Sequence, residues 1–250
     1  MYSPTTKKDF KIDALCEKSF FEEFSRNILY EDNHLLGVYK PHGLLVQGDH
    51  TNRSTLFDMA KHWLKLKHQK PGNVFLGLVH RLDRPVAGVV LFAKTSKGAS
   101  RISAQFREHT IVKIYHAVVY GKPSHTEGDL QVWLVQQEKK MIFANKDTPG
   151  AQHARLFYKT LGDMAGRSLI EVRLITGRRH QIRAQLSALG HPIVGDRLYG
   201  SDIDLGPDNI LLMAKSISFR HPTRLVDIFI ESPYPPDWPW PDGGTTPRHP

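Results

Sequence analysis

Nine short stretches rich in β-branched and aromatic residues limit the fold of this chain more than any other feature. Between residues 28 and 231, three stretches, 54–67, 96–108 and 178–189, place apolar residues at helical spacing. Strands and helices do not alternate regularly. The pattern therefore predicts an α+β domain in which a mixed, mostly antiparallel central sheet is flanked by a few helices. The strand-like stretches are 35–39, 74–79, 88–94, 112–120, 130–135, 154–161, 169–175, 211–219 and 225–231.

The two ends of the chain differ from the region between them. Residues 1–27 are mixed and polar, apart from a patch around Phe20, Phe21 and Phe24, and predict a loosely attached extension with a short helix. Residues 232–250 contain many prolines around two tryptophans. Because proline donates no backbone hydrogen bond and disrupts helices and sheets, we expect an extended tail there. We expect residues 28–231 to form one domain, the catalytic domain.

The positive charge is concentrated in two segments. The chain has 34 Lys and Arg against 25 Asp and Glu, a formal net charge of +9. Residues 80–122 carry eight basic and two acidic side chains, residues 167–197 carry six and two, and the rest of the chain sums to −1. Such clustering suggests a polyanionic partner, and RNA or DNA is the first candidate.

Several functional classes lack support. With one cysteine, Cys16, the chain cannot form an internal disulfide or a multi-cysteine metal site, which favours a reducing, cytoplasmic location. The longest apolar runs are far shorter than the roughly 20 residues of a membrane span. There is no phosphate-binding loop, dinucleotide fingerprint or nucleophile elbow, so we expect no nucleotide cofactor. We also expect no metal site, because no closely spaced histidine pair accompanies a third ligand.

An acidic residue between arginines marks the first basic segment. Asp83 follows an apolar stretch, has Arg81 and Arg84 beside it, and precedes Pro85, which restrains the exit of the chain. This arrangement is compatible with a held catalytic carboxylate, but taken alone it favours a structural ion pair at a strand end.

The second basic segment contains a turn followed by a predicted helix. Residues 176–183 read Thr-Gly-Arg-Arg-His-Gln-Ile-Arg, with Thr176 as a candidate N-cap and three basic side chains in the first helical turn. Helix N-termini attract anions, and cations there are unfavourable until an anion binds. The segment therefore predicts a phosphate-binding site, with Arg179 and Arg183 on one helix face.

Six motifs in a fixed order resemble one known family. The resemblance that they carry covers about residues 28–231. They are Lys40-Pro41-x-Gly43-Leu44-Leu45-Val46, His80-Arg81-Leu82-Asp83-x-x-x-x-Gly88, Lys113-x-Tyr115-x-Ala117-x-Val119-x-Gly121, Thr176-Gly177-Arg178-x-His180-Gln181-Ile182-Arg183, Gly190-His191-Pro192-Ile193-x-Gly195-Asp196-x-x-Tyr199-Gly200 and Phe219-x-His221-Pro222. By these motifs the chain resembles the RluA-type RNA pseudouridine synthases.

The resemblance implies an activity and a set of site residues. The activity is isomerisation of a uridine in rRNA or tRNA to pseudouridine, with the target base flipped out of its stack. It implies that Asp83 is the essential catalytic group, that Tyr115 stacks on the base, and that Arg183 pairs with Asp83. It implies no cofactor and no metal. We expect RNA contacts from Arg81, Arg84, Lys113, Arg178, Arg179, His180 and Gln181.

The chain departs from the family pattern at two positions. Ala87 stands where Ser or Thr is common, and Met213 replaces the histidine of a Leu-His-Ala element. Residues 1–27 are too few for the S4-type RNA-binding domain of many relatives, so we expect a catalytic domain alone, acting as a monomer. Two other functions stay open: a non-catalytic RNA-binding protein with this fold, and a metal-dependent nuclease that uses His80 and Asp83.

Overall fold

The computed structural model describes residues 14–48, 53–206 and 208–240, and within these ranges it contains one sheet. Of the nine predicted strands, eight lie where they were expected, with shifts of a few residues. The stretch 74–79 is a strand only at residues 77–78, and two short strands, at 28–31 and 140–144, were not predicted. The strands are β1 Ile28–Glu31, β2 Leu35–Lys40, β3 Gly77–Leu78, β4 Ala87–Ala93, β5 Val112–Tyr120, β6 Glu127–Gln137, β7 Lys140–Ala144, β8 Gln152–Met164, β9 Arg167–Leu174, β10 Leu212–Arg220 and β11 Asp227–Glu231.

Four α-helices and one short 3-10 helix accompany the sheet within these ranges. They are α1 Ala14–Ser25, α2 Leu56–Lys67, α3 Ser96–Arg107, α4 Gln181–Ala188 and the 3-10 helix Arg197–Tyr199. Helix α2 begins at a capping box in which Thr55 and Asp58 exchange hydrogen bonds. The predicted helix at 178–189 is shorter than expected at its start. It ends as predicted, before Gly190, whose φ of 87° is easily adopted only by glycine.

The sheet is mixed and mostly antiparallel, as the sequence predicts. Its order is β1-β2-β4-β10-β5-β9-β8-β6-β7, with β3 added beside β4 and β11 beside β10. Strands β4 and β10 form the parallel pair among the described strands. Strand β10 lies between β4 and β5 at the centre, so segments that are far apart in the chain meet there. The fold is α+β, and its centre brings the first basic segment next to β10.

Both faces of the sheet centre are covered. Along β5, Tyr115, Ala117 and Val119 belong to a large core that includes the helices α2 and α3. The intervening Val118 belongs to a second core on the opposite face, where it packs with Met213 and the C-terminal segment. Because every residue from 115 to 119 is buried, β5 is a rigid support for the side chains that it carries.

The segments near the two ends pack on this core. In α1, Phe24 is buried and the ring of Phe21 stacks on Trp63 of α2, so the expected loose attachment is wrong for residues 14–25. Residues 232–240 form no helix or strand, as the prolines predict, but Trp238 and Trp240 are buried against the second core. The predicted tail is therefore a covering segment up to residue 240. Residues 1–13 and 241–250 lie outside the described residues.

The contact between β4 and β10 requires a glycine. Gly88 has a φ of 116°, and a Cβ atom placed there would lie 2.2 Å from the backbone oxygen of Ala214. This is far inside van der Waals contact, and the backbone conformation itself is strained for any L residue with a side chain. Gly88 therefore sets how closely the strand after Asp83 approaches β10.

We predict that Gly88→Ala lowers the free energy of unfolding by about 3 kcal/mol or more, because backbone strain and a steric clash add at this position. Urea denaturation measures the change. Gly72→Ala is the matched control, since it lies in open space without a positive φ. Equal stability of the two variants would contradict the role given to Gly88.

Candidate active site

All ten residues that the sequence singled out line one cleft. The cleft has a volume of about 1200 Å³ and is bordered by the loop before β4, by β5, by α3 and by the turn before α4. Both basic segments contribute to it, with seven of their fourteen basic side chains. The ten residues are Asp83, Tyr115, Arg183, Arg81, Arg84, Lys113, Arg178, Arg179, His180 and Gln181.

Asp83 lies in the loop before β4, and hydrogen bonds from Lys40, the last residue of β2, hold this loop in place. The buried Lys40 ammonium donates hydrogen bonds to the carbonyl oxygens of Pro41, Leu44 and Arg84, at 3.0, 2.7 and 3.0 Å. All three of its protons can thus be used within the protein. Burial lowers the pKa of Lys40 to about 7, against the opposing charges of Asp83 and Asp208. Lys40 thus joins the chain after β2 to the backbone next to Asp83.

The turn before α4 differs from the predicted helix start. The helix begins at Gln181, and His180 is its N-cap in the left-handed region, with a φ of 50°. The buried Gln181 amide accepts hydrogen bonds from Thr176 Oγ1 (2.7 Å) and Arg178 N (3.0 Å), and it donates to Arg155 O (3.0 Å). These bonds close the turn one residue before the helix.

Three expectations for this turn are therefore wrong. Thr176 does not cap α4, because its hydroxyl donates to the Gln181 side chain. Arg178, Arg179 and His180 precede the helix and do not form its first turn. Arg179 is exposed while Arg183 is buried, so the two arginines do not share a helix face. Gln181 uses its amide within the protein and shapes the turn, and it is 2% exposed.

Arg183 is shared between two carboxylates. Its Nε and Nη2 atoms bind both oxygens of the buried Asp196, at 2.6 and 2.8 Å. Its Nη1 atom lies 3.6 Å from Asp83 Oδ2. Burial alone would lower the pKa of Arg183, but the hydrogen bonds and charge of Asp196 raise it above its usual value. The pairing of Arg183 with Asp83 exists, but it is the weaker of the two contacts.

His180 is a second neighbour of Asp83. Its Nε2 atom lies 3.6 Å from Asp83 Oδ2, and its Nδ1 atom is 3.0 Å from the hydroxyl of Tyr199. Burial, together with Arg183 and Arg179 and against Asp83, lowers the pKa of His180 to about 4. The imidazole is therefore neutral near pH 7, and its contact with Asp83 is not an ion pair.

Tyr115 lies at the floor of the cleft. It is buried, and burial together with the charge of Asp83 raises its pKa well above the usual value. Tyr115 is thus a neutral phenol held on a rigid strand. Its neighbour Lys113 lies with Nζ 5.9 Å from the centre of the Phe106 ring, and burial lowers the pKa of Lys113 to about 8.

The arginines of the cleft differ in whether a carboxylate of the protein already neutralises their charge. Arg81, Arg107 and Arg179 are exposed and have no ion-pair partner among the described residues. Arg84 differs, because its guanidinium pairs with Asp208 and is already neutralised. Three free guanidinium groups therefore border the opening, and the sequence had identified two of them.

Arg178 occupies an intermediate position. It is half-buried, and its Nε donates a hydrogen bond to the backbone oxygen of His153 at 2.9 Å. This bond uses one of five donors and leaves the others available at the cleft.

The cleft does not resemble a metal centre. His80 packs against Phe106, with ring centres 5.0 Å apart, and its Nε2 accepts a hydrogen bond from Leu91 N at 2.9 Å. Burial and the charge of Lys113 lower the pKa of His80 to about 3. Among the described residues, no group of three or more His, Cys, Asp or Glu side chains could hold a metal ion. The nuclease hypothesis based on His80 and Asp83 loses its support.

Sequence reasoning assigned no role to Lys40, Asp196 or Tyr199. All three lie in motifs quoted for the family resemblance, so their positions were visible but their contacts were not. A lysine ending an apolar strand and an acid directly after Gly195 were the available signals. Their partners come from distant segments, and this hid their roles.

Comparison with known proteins identifies related chains. Residues 34–188 match the family described as RNA pseudouridylate synthase. Ribosomal large subunit pseudouridine synthase C of Vibrio parahaemolyticus is 33% identical over 224 residues, which cover 87% of this chain and 69% of that protein. Ribosomal large subunit pseudouridine synthase D of Zymomonas mobilis is 36% identical over 186 residues, which cover 72% of this chain and 57% of that protein.

Solved structures share the fold. Human RNA Pseudouridylate Synthase Domain Containing 4 superposes with a TM-score of 0.75 at 24% identity, covering 90% of this chain and 94% of that one. Human RNA Pseudouridylate Synthase Domain Containing 1 gives a TM-score of 0.65 at 23% identity. Within the described ranges, every helix is too short or too polar to cross a membrane.

We predict that His80→Gln weakens the acid sensitivity of folding. In the folded chain His80 is neutral, whereas the unfolded chain protonates it below about pH 6.5, so stability falls as pH decreases. Between pH 7 and pH 5 the unchanged protein should lose roughly 2 kcal/mol more unfolding free energy than the variant. Urea denaturation at each pH measures the unfolding free energy of the unchanged protein and of the variant. The difference between the two proteins at pH 8 is the baseline. Parallel pH profiles would contradict the neutral state of His80.

Proposed function

Because this chain belongs to the RNA pseudouridylate synthase family, we propose that it isomerises uridines of ribosomal RNA to pseudouridine with Asp83 as the essential catalytic group. The observation that carries the proposal is the convergence of two separate basic segments on one cleft around the Asp83 carboxylate. A polyanion fits the exposed arginines at the opening, and the Tyr115 ring that lines the cleft offers a stacking surface for a single base.

The reaction exchanges two bonds at the sugar. The N1–C1′ bond of the uridine breaks, the uracil turns, and a C5–C1′ bond forms. The hydrogen on C5 leaves as a proton, and N1 gains one, so the product has the composition of the substrate. The ionised Asp83 carboxylate acts either as a nucleophile at C1′ or as a base at the sugar, and both roles need its charge. No oxidant, metal or nucleotide enters this balance.

Arg183 supports the charged form of Asp83. Its guanidinium lies 3.6 Å from Asp83 Oδ2, and this positive charge stabilises the negative charge of the carboxylate. The neutral His180 adds no second positive charge, so the carboxylate is restrained without being fully neutralised. We propose that this balance keeps Asp83 both ionised and available for reaction.

Tyr115 is suited to receive the base. A uridine inside a stem or stacked loop is out of reach of a carboxylate and must be flipped out, at a cost of a few kcal/mol. Stacking of uracil on an aromatic ring offsets about 1 to 3 kcal/mol of that cost. Because burial keeps Tyr115 protonated, we assign its ring to stacking and do not use its phenolate as a base.

The exposed cations would bind the phosphates on either side of the flipped nucleotide. Arg81 and Arg179 lie free at the opening, and Arg107 from α3 joins them. Arg178 and Lys113 lie deeper in the cleft, where contacts next to the target nucleotide are expected. Arg84 is paired with Asp208, so we assign it to holding the loop.

The names of the relatives favour large-subunit ribosomal RNA over transfer RNA as the substrate. Pseudouridine mapping in both RNA classes, from cells with and without this gene, tests the choice. Sites lost only from transfer RNA would reject the ribosomal assignment. A cytoplasmic location, a monomeric state and the independence from a cofactor are predictions from the sequence.

We predict that Asp83→Asn lowers the rate of pseudouridine formation by about 10⁴-fold or more, because the amide keeps the shape but loses the charge. The assay is tritium release from a large-subunit rRNA transcript labelled with [5-³H]uridine. RNA affinity should change by less than about threefold, under 1 kcal/mol. Asp227→Asn, an exposed carboxylate on β11, is the control. Normal turnover by Asp83→Asn would reject the assignment, and RNA binding without turnover by the unchanged protein would favour a non-catalytic role.

We predict that Arg179→Ala weakens RNA binding and lowers the slope of log Kd against log salt concentration by about 0.7 to 0.9, the value of one phosphate contact. Filter binding of the same transcript at several salt concentrations measures the slope. Arg173→Ala is the matched control, because Arg173 is exposed in the same basic segment but does not line the cleft. Equal slopes for the two variants would place the RNA elsewhere.

A further inference from the structure

The Asp196 carboxylate binds the side of the Arg183 guanidinium that carries Nε and Nη2. The contact is bidentate, at 2.6 Å and 2.8 Å, and Asp196 is 1% exposed. A guanidinium offers only one other nitrogen once Nε and Nη2 are used in this way. That nitrogen, Nη1, is the atom that faces Asp83 at 3.6 Å. The geometry of Arg183 at the catalytic carboxylate is therefore set by a second carboxylate.

The order of these two contacts has a chemical consequence. If Asp83 took the bidentate side of Arg183, both of its oxygens would be bound in short charge-assisted hydrogen bonds. Such a carboxylate is a weaker nucleophile and a weaker base, because its charge is already satisfied. With Asp196 in that place, Asp83 receives one longer contact and keeps most of its reactivity.

The segment that carries Asp196 also restrains the other neighbour of Asp83. Asp196 is the N-cap of the 3-10 helix Arg197–Tyr199. The ring of Tyr199 lies 5.0 Å from the Arg183 guanidinium carbon, and its hydroxyl is 3.0 Å from His180 Nδ1. The same hydroxyl accepts a hydrogen bond from Met141 N at 2.7 Å. One short turn, tied to β7, thus positions both Arg183 and His180.

We infer that Asp196 is a positioning residue for the catalytic pair: it holds the bidentate side of Arg183 and leaves only Nη1 for Asp83. Asp196 touches no reacting atom and acts through Arg183. The inference rests on the proposed function, because it concerns the reactivity of the Asp83 carboxylate.

The first test is Asp196→Asn, which keeps the volume and removes the charge. Arg183 is then free to turn its bidentate side toward Asp83. We expect kcat for tritium release from the labelled rRNA transcript to fall at least about tenfold, with KM within about threefold. The acidic limb of the pH–rate profile should move to lower pH, since a fully paired Asp83 is harder to protonate. An unchanged kcat, or a limb that stays in place or moves to higher pH, overturns the inference.

The matched control is Asp204→Asn. Asp204 also binds an arginine, Arg197, at 2.7 Å, but this pair is exposed and does not line the cleft. Its loss should leave kcat and the pH profile unchanged. A comparable effect of both variants would show a general loss of stability in this segment, and would overturn the specific role of Asp196.

A double-mutant cycle separates action through Arg183 from a merely structural effect. In an Arg183→Lys background no bidentate contact exists, so Asp196→Asn should slow the enzyme by no more than about twofold further. If the kcat losses of Asp196→Asn and Arg183→Lys multiply in the double variant, the inference is overturned. If Asp196→Asn does not fold, the same cycle is run with Asp196→Glu, which keeps the carboxylate and displaces it by one methylene. Wild-type protein that releases no tritium overturns the proposed function together with this inference, whereas an active wild type with an unaffected Asp196→Asn variant overturns this inference alone.

Discussion

The backbone contact between β4, β10 and β5 is the constraint on which the cleft depends. Ala214 of β10 is paired with Gly88 on one side and with Tyr115 on the other. This single residue therefore fixes the separation between the loop that carries Asp83 and the strand that carries Tyr115. The lack of a side chain at Gly88 permits the approach. Because both faces of β5 are packed, the separation is rigid, and a catalytic carboxylate and an aromatic platform are held in register.

Burial of charge controls the chemistry of the cleft. Lys40, Lys113 and His180 all have pKa values lowered by burial, and each lies near the Asp83 loop or the base pocket. The positive charge that faces Asp83 directly comes from Arg183, which stays protonated under all ordinary conditions. The permanent cations at the opening, by contrast, are exposed arginines. The exposed arginines thus attract a polyanion, and the buried Arg183 acts on one carboxylate.

The regular elements of the fold were predictable where local pattern and tertiary environment agree. Strand β5 has the predicted ends, because its run of β-branched and aromatic residues favours a strand and the fold packs both of its faces. Strand β7 was missed, since only one of its residues is fully buried and its pairing with β6 creates the strand. Residues 178–180 were mistaken for the first turn of the helix, because the Gln181 side chain closes a turn there by hydrogen bonds that no spacing rule reveals. Side-chain to backbone bonds of this kind compete with helix formation.

By itself the sequence determined the fold class, the clustering of positive charge and the identity of Asp83, Tyr115 and Arg183 as candidates. The first two follow from residue type, order and spacing, and the three candidates follow from motifs that resemble a known family; all of these are local properties of the chain. The tertiary structure decided how the candidates share their charges. It joined Arg183 first to Asp196, neutralised Arg84 with Asp208, turned Gln181 inward and left Arg179 free. Such choices depend on distances between segments that lie far apart in sequence, and only the packing of the sheet sets those distances.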